Sequence, residues 1–234
     1  MPQQARKTRK AILGKKVGMT QIFTEEGKWV PVTVLQAGPC TVLQVKTAEK
    51  DGYDAVQLGF DETDKPRKKP QQALFDRLGV KGQRFVREVP FVDPADLQQA
   101  GDASGADGED SSEAAAVTPG TLLRVTALKD VERVDVRGVT KGRGFTGTIK
   151  RHSFQSGDKS HGSKNVREPG STGMHTDPGR VVKGKKMPGQ HGNAHRKVRN
   201  LAVVGIEEDD NLLLVEGAVP GRNGGYVYIE ESLR

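Results

Sequence analysis

The feature that most constrains this chain is a basic, glycine-rich tract at residues 137–199. Its 63 residues hold 15 lysines or arginines, three acidic residues, twelve glycines and all five histidines. Only 11 of the 63 belong to the hydrophobic class. So few apolar side chains cannot offset the entropy lost when the tract becomes ordered. We therefore expect this basic tract to be disordered alone or ordered by an anionic partner.

The rest of the chain is acidic and rich in β-branched residues, with 22 cations against 27 acids. The runs at 17–24 and 29–36 flank a turn signal and predict a hairpin. Other segments have strand or helix patterns. They predict strands at 41–47, 55–60, 85–91, 131–136, 201–206, 211–216 and 225–230, and a short helix at 71–79. Short strands at regular spacing, drawn from both ends of the chain, indicate a small antiparallel β-barrel.

Composition argues against several classes of protein. No apolar run approaches the roughly 18 residues of a membrane span, and the basic start lacks the apolar stretch of a signal peptide. A lone Cys40 can form neither an internal disulfide nor a cysteine metal site, which suits a reducing cytoplasm. Residues 101–116 carry five acids and no base. We interpret them as a flexible surface loop rather than a binding tail.

The run Gly142–Gly147 fits the dinucleotide pattern G-x-G-x-x-G and follows a predicted strand. That pattern requires a helix at its end, so that aligned N–H groups meet the pyrophosphate. Here the following residues are β-branched and then rich in serine and glycine, so a glycine-rich turn is the better interpretation. A nucleotide-dependent oxidoreductase remains a rival hypothesis, which dinucleotide binding by the purified protein would favour.

His191 and His195 have the i, i+4 spacing of a helical zinc pair. Gly192 and its neighbours make a helix there poor, and no carboxylate cluster supplies further ligands. We therefore expect no metal, and we interpret the two histidines as polar or cationic contacts. Cys40 and Ser153 have no spacing that supports a catalytic group, so no enzyme activity and no cofactor are expected.

The basic tract itself indicates structured RNA. Lysine and arginine neutralise phosphates, and glycine lets the backbone enter crevices that a Cβ would block. A DNA-compacting protein is the second rival, separable by competition between duplex DNA and folded RNA. The candidate RNA-binding residues are Lys141, Arg143, Lys150, Arg151, His152, Lys159, Lys164, Arg167, Arg180, Lys183, Lys185, Lys186, His191, His195, Arg196, Lys197 and Arg199. The candidate close-backbone glycines are Gly142, Gly144, Gly147, Gly173 and Gly184.

Several long motifs follow one another along the chain. ILGKKVGMTQIF stands at 12–23 and LKDVERVDVRGVTKGRGFTGTIKR at 128–151. PGSTG at 169–173, VVKGKKMPGQHGN at 181–193 and LLLVEGAVPGRNGG at 212–225 come after them. These motifs, in this order, resemble the large-subunit ribosomal protein L3 family, and the opening is similar to the start of its bacterial members. The resemblance covers nearly the whole chain.

The resemblance implies a mainly β protein with a small antiparallel β-barrel body, an inserted α/β lobe and a long, basic, glycine-rich extended loop. Residues 1–61 would form the first part of the barrel with a basic N-terminus. Residues 62–130 would form the lobe, including the acidic loop. Residues 131–199 would lead from a barrel strand into the extension, and 200–234 would supply the closing strands.

The resemblance also implies a function. It indicates a non-enzymatic structural constituent of the large ribosomal subunit, used in translation in the cytoplasm. Such a protein binds ribosomal RNA near its 3′ end, nucleates subunit assembly and extends a loop toward the peptidyl-transferase centre. Ribosomal proteins L14 and L19 are the implied neighbours. No membrane and no small-molecule substrate are expected.

At the tip of the extension the chain departs from the family. Bacterial relatives commonly read GQNQTPG there, and the second glutamine can carry a side-chain methyl group. This chain places Met174, His175 and Thr176 at the first three variable positions. Because a threonine hydroxyl is not a substrate for amide methylation, we expect no such modification at 176. We expect Met174 to fill a gap in RNA and His175 to contact a phosphate or a base edge.

Overall fold

The computed structural model describes residues 9–65, 67–90 and 118–233. Most of the basic N-terminus and the whole of 101–116 lie outside the described residues. The helices are α1 (Ala48–Asp51), α2 (Lys69–Leu78) and α3 (Thr148–His152), with a 3-10 turn at Val125–Leu128. The strands are β1 (Ala11–Phe23), β2 (Trp29–Ala37), β3 (Cys40–Lys46), β4 (Ala55–Thr63), β5 (Gly82–Pro90), β6 (Leu122–Leu123), β7 (Arg133–Val139), β8 (Gly144–Thr146), β9 (Gly189–His191), β10 (His195–Glu207), β11 (Leu212–Glu216) and β12 (Tyr226–Glu231).

The prediction of a mainly β chain is confirmed. Six strands pair in the order β1-β12-β7-β10-β11-β2, and β2 also pairs with β1, so each of the six has two neighbours. Buried apolar residues stand two apart on β7, β11 and β12, as a period of two requires for a sheet with one face on the core. The buried pairs include Val134 and Val136, Leu213 and Val215, and Val227 and Ile229.

The predicted hairpin is present. β1 and β2 pair from Phe23–Trp29 to Gly14–Ala37, with a bulge between Lys16 and Gly18. β1 begins at Ala11, well before the predicted start at 17. The reason is a partner distant in sequence, because Ala11 to Lys15 pair with β12. A hairpin signal is local, whereas the β12 pairing cannot be deduced from neighbouring residues.

A second sheet has the order β5-β4-β3-β6, with α2 connecting β4 to β5. Strands β3 and β4, which were expected in the barrel, belong to this second sheet, and its first strand begins at Cys40. The domain boundary at 62 stays a prediction. Tyr226 of β12 joins the two sheets. Its ring stacks on Phe85 at 4.9 Å between centroids, and its hydroxyl donates to Asp61.

An ionic cluster lies on three neighbouring strands of the first sheet. The Glu230 carboxylate is almost fully buried and accepts hydrogen bonds from Arg137, at 2.9 Å, and from Lys197. Lys197 also pairs with Asp135 at 2.7 Å, and Asp135 accepts from the backbone N–H of Asn200 at 2.8 Å. Both buried carboxylates of this cluster, Asp135 and Glu230, therefore have an opposite charge beside them, as burial of ions requires.

This cluster predicts an acid-sensitive contribution to stability. Burial raises the pKa of Asp135, but the hydrogen bonds from Lys197 and Asn200 outweigh burial and hold the pKa below its usual value. A carboxyl whose pKa is lower in the folded state stabilises the fold at pH values above its unfolded pKa. We expect the unfolding free-energy difference between wild type and Asp135→Asn to be full above about pH 5 and to shrink as the pH falls toward 3. Urea unfolding at both pH values measures it, and a difference that grows on acidification would contradict the assignment.

The described residues fall into two compact units. The first unit contains the residues up to Val139 and from Arg196 onward, and the second contains Thr140–His195. No helix in the described part of the chain is long and apolar enough to cross a membrane.

Candidate nucleic-acid interface

The second unit has little internal burial. Between 153 and 188 the chain forms no helix or strand, and no side chain in that range is buried. Thr146 and Thr148 are the buried residues of the second unit. With so little apolar contact to hold it, this segment depends on local hydrogen bonds and turns for its conformation.

A small framework stands at the base of that segment. β8 pairs with β9 from Gly144–His191 to Thr146–Gly189. Two side chains of α3 hold the residue just before β9. Arg151 donates to the Met187 carbonyl oxygen at 2.7 Å, and His152 contacts the same oxygen at 3.0 Å. The helix at α3 was not predicted, since Thr148 and Ile149 are β-branched. It is a single turn of five residues, too short for the phosphate-binding helix of a dinucleotide fold.

Two glycines of this framework have close neighbours, and Gly192 is required by its contact. Gly192 has φ +72°, and a Cβ there would stand 2.0 Å from the Lys141 backbone carbonyl oxygen. A Cβ on Gly189 would stand 2.6 Å from the Arg151 guanidinium, which would have to move aside. Both glycines lie in the motif MPGQHGN, but the sequence pattern predicted no role for either of them. The sequence feature that could have indicated such a role is the clustering of Gly189 and Gly192 around His191.

The five glycines singled out from the sequence do not contact their own chain closely. At Gly142 the nearest atom to an added Cβ is 3.7 Å away. Nothing lies within 4 Å of an added Cβ at Gly144, Gly147, Gly173 or Gly184. Two of these have positive φ, 66° at Gly144 and 81° at Gly184. The close approach of these glycines to a partner therefore stays a prediction.

Most candidate cations are exposed. Those on the surface are Lys141, Arg143, Lys150, Lys159, Lys164, Arg167, Arg180, Lys183, Lys185, Lys186, Arg196 and Arg199, together with His195. Within the described residues, none of these lysines and arginines forms an ion pair with an acidic side chain. Lys197 differs, because its charge is already paired in the ionic cluster of the first unit. We therefore assign Lys197 a structural role in the fold, and its contact with RNA stays a prediction.

His191 is surrounded by positive charge. Burial lowers the pKa of the ring below its ordinary value, and nearby cationic groups lower it further: Arg143, Arg151, Lys150 and His152. Its Nδ1 atom is buried without a hydrogen-bond partner among the described residues. The ring is therefore neutral at pH 7, and an anion placed among these cations would draw a proton onto it.

The tip residues interact mainly with one another. The His175 ring nitrogen and the Thr176 hydroxyl are 2.7 Å apart, and Met174 is 72% exposed. Sequence reasoning missed one further residue, Phe145, whose ring is 77% exposed on β8 beside Arg143. An exposed aromatic ring among cations is a surface on which an unpaired base can stack. The sequence feature that could have indicated this residue is a phenylalanine directly after the run Gly142-Arg143-Gly144.

Limited proteolysis should separate the two units. We expect trypsin to cut the free protein first at lysines and arginines between 153 and 188, because that backbone has few buried contacts to open. Fragments containing the six-stranded sheet should persist, and mass spectrometry of timed samples identifies both. Equal survival of the 153–188 segment and the sheet would contradict this expectation.

Comparison with known proteins supplies the family. Residues 114–213 match the family model described as Ribosomal protein L3. The chain is 47% identical over 227 residues to the large ribosomal subunit protein uL3 of Syntrophobacter fumaroxidans, covering 96% of this chain and 98% of the relative. Identity is 46% over 225 residues with uL3 of Solibacter usitatus, covering 95% and 98%. It is 45% over 223 residues with uL3 of Thermotoga maritima, covering 95% and 97%. The chain belongs to the ribosomal protein L3 family.

Proposed function

We propose that this protein is a non-enzymatic structural constituent of the large ribosomal subunit, acting in the cytoplasm during translation. One observation carries the proposal beyond family membership. The second unit displays its exposed lysines and arginines without acidic partners among the described residues, on a backbone with almost no core. Such a surface neutralises phosphates and becomes ordered on doing so. Ribosomal RNA is a partner of that charge and shape.

The finer parts of the proposal concern the route of the chain through the RNA. The six-stranded sheet serves as a barrel body, and the basic tract reaches toward the peptidyl-transferase centre with Met174, His175 and Thr176 at its tip. Binding near the 3′ end of the large RNA nucleates assembly, with proteins L14 and L19 as neighbours. Phe145 stacks on an unpaired base, and the open glycines let the backbone approach RNA.

Co-sedimentation tests the proposal directly. The endogenous or tagged chain should travel with the large ribosomal subunit through a sucrose gradient after a high-salt wash, because many buried phosphate contacts exchange slowly. A chain that remains at the top of the gradient would reject the assignment. Dinucleotide binding by the purified protein, measured in parallel by calorimetry, would instead support the oxidoreductase hypothesis.

RNA binding should also take up a proton at His191. Phosphates that neutralise the surrounding cations will raise the pKa of this ring, so affinity should increase as the pH falls from about 7.5 to 5.5. A rise of one unit corresponds to about a tenfold gain in affinity. Filter binding across this range measures the effect, and His191→Phe should remove most of it. An identical pH dependence in the variant would contradict the placement of phosphate at this cluster.

A further inference from the structure

One edge of β1 in the outer half of the β1–β2 hairpin has no strand partner among the described residues. β12 covers β1 only from Ala11 to Lys15. From Gly18 to Phe23, β1 pairs with β2 alone in the part of the chain that the structure describes. Within residues 9–65, 67–90 and 118–233, no other strand takes up the N–H and C=O groups on the other edge of 18–23. The segment VGMTQIF at 17–23 contains no charge and no proline, which are the usual protections of an exposed edge strand.

The same hairpin exposes a large apolar face. Met19 and Phe23 are four residues apart on β1, so their side chains lie on the same face of the hairpin. The register places Trp29 directly opposite Phe23. These side chains are 50%, 68% and 53% exposed, respectively. The Trp29 indole N–H donates to Gln21, which holds the ring across the strand. An unprotected edge beside exposed aromatic rings makes an isolated protein prone to association, so a site of this kind is normally covered by a partner.

The charge of the hairpin selects the kind of partner. From Val17 to Gly27 there is no lysine or arginine, and the turn Glu25-Glu26-Gly27-Lys28 carries two acids and one base. An RNA backbone would meet a net negative charge there. A polypeptide meets the requirement, because an extended strand satisfies the free edge and its apolar side chains cover Phe23 and Trp29.

We propose that this hairpin docks a second protein, whose extended, basic segment adds a strand to the β1 edge at 18–23. Alternate apolar side chains of that segment pack on Met19, Phe23 and Trp29, while lysines or arginines lie beside Glu25 and Glu26. The proposal is independent of the RNA contacts of the second unit. It uses the proposed function only to choose the particle in which docking is observed.

Photo-crosslinking in living cells tests the proposal. A benzoylphenylalanine at position 23 of the full chain should crosslink to another protein, giving a nuclease-resistant adduct. The same group at Leu233, also exposed but outside the hairpin, is the matched control and should not give that adduct. Adducts removed by nuclease, adducts with a second copy of this chain, or no adduct would each overturn the proposal. Because irradiation precedes lysis, adduct formation is scored independently of whether the chain sediments with the large subunit. Failure of docking and failure of the proposed function can therefore be told apart.

Hydrogen exchange and a charge variant supply the second measurement. In purified particles the amides of 18–23 should exchange more slowly than in the free protein. Met19→Asp combined with Phe23→Asp should lower the yield of the adduct, formed then from benzoylphenylalanine at position 21, by about tenfold. Met19→Leu with Phe23→Tyr should retain it. RNA affinity and the urea midpoint of the aspartate variant monitor folding, and unchanged docking by a folded aspartate variant would reject the site.

Discussion

Binding of this protein to folded large-subunit RNA should weaken by about 10³–10⁵-fold when monovalent salt is raised from 50 to 200 mM. The expectation assumes six to ten phosphate contacts, which the exposed, unpaired cations of the second unit can supply. Each contact releases a condensed counterion from the RNA, so affinity depends steeply on salt. Equilibrium binding to an RNA fragment from the 3′ region, measured at several salt concentrations, gives the slope.

A triple substitution sharpens that experiment. Changing Lys183, Lys185 and Lys186 to glutamine should make the slope of log affinity against log salt shallower by about two to three. The matched control changes Lys50, Lys65 and Lys68, which are exposed cations of the first unit, and should leave the slope unchanged. A flat salt response of the wild type, or equal effects of the two triple variants, would contradict the electrostatic role of the second unit.

Lys197→Met should lower the free energy of unfolding by about 3 kcal/mol. The substitution keeps much of the side-chain volume but removes the cation that pairs with Asp135 and Glu230. Those side chains are only 8% and 2% exposed, so their charges cannot recover the lost interaction from water. Arg137 still pairs with Glu230, and Asp135 is the carboxylate left without an ion pair. Urea unfolding at neutral pH measures the loss.

Controls distinguish this structural role from RNA contact. Lys164→Met, at an exposed cation of the second unit, should change the free energy of unfolding by less than about 0.5 kcal/mol. It should instead reduce RNA affinity and the salt slope. Adding Asp135→Asn to Lys197→Met should restore part of the lost stability, since no unpaired carboxylate then remains there. If Lys197→Met unfolds at the wild-type urea concentration, the ionic cluster does not stabilise the fold as the geometry indicates.

The elements that were predicted correctly are those whose sequence patterns lie within a few neighbouring residues. The hairpin of β1 and β2 follows from two β-rich runs around Glu25-Glu26-Gly27-Lys28, and α2 from an apolar pattern that ends at Gly79 in the left-handed region. The second unit, Thr140–His195, lies within the basic tract expected at 137–199. The low content of apolar residues in this tract can be counted from the sequence, so the tract could be located without knowing any tertiary contact.

The sheet to which a strand belongs was decided by the tertiary structure. β3 and β4 have the same β-rich character as β1 and β2, yet they pair with β5 and β6 in a separate sheet. Alternation of apolar residues predicts that a strand has a buried face, but it contains no information on which strand lies beside it. That choice depends on contacts between residues far apart in sequence.

By itself, the sequence determined that this protein has an acidic, β-rich part and a long cationic part suited to RNA, because net charge and apolar content are sums over residues. Only the tertiary structure decided which charges are available. Lys197 is indistinguishable by sequence from Lys185, yet it pairs with Glu230, which is 33 residues away along the chain and carried by β12. The free edge of β1 was equally hidden, since it exists only because β12 stops pairing at Lys15. A residue's charge or polarity is a property of its type, whereas its freedom to bind a partner depends on what the fold places against it.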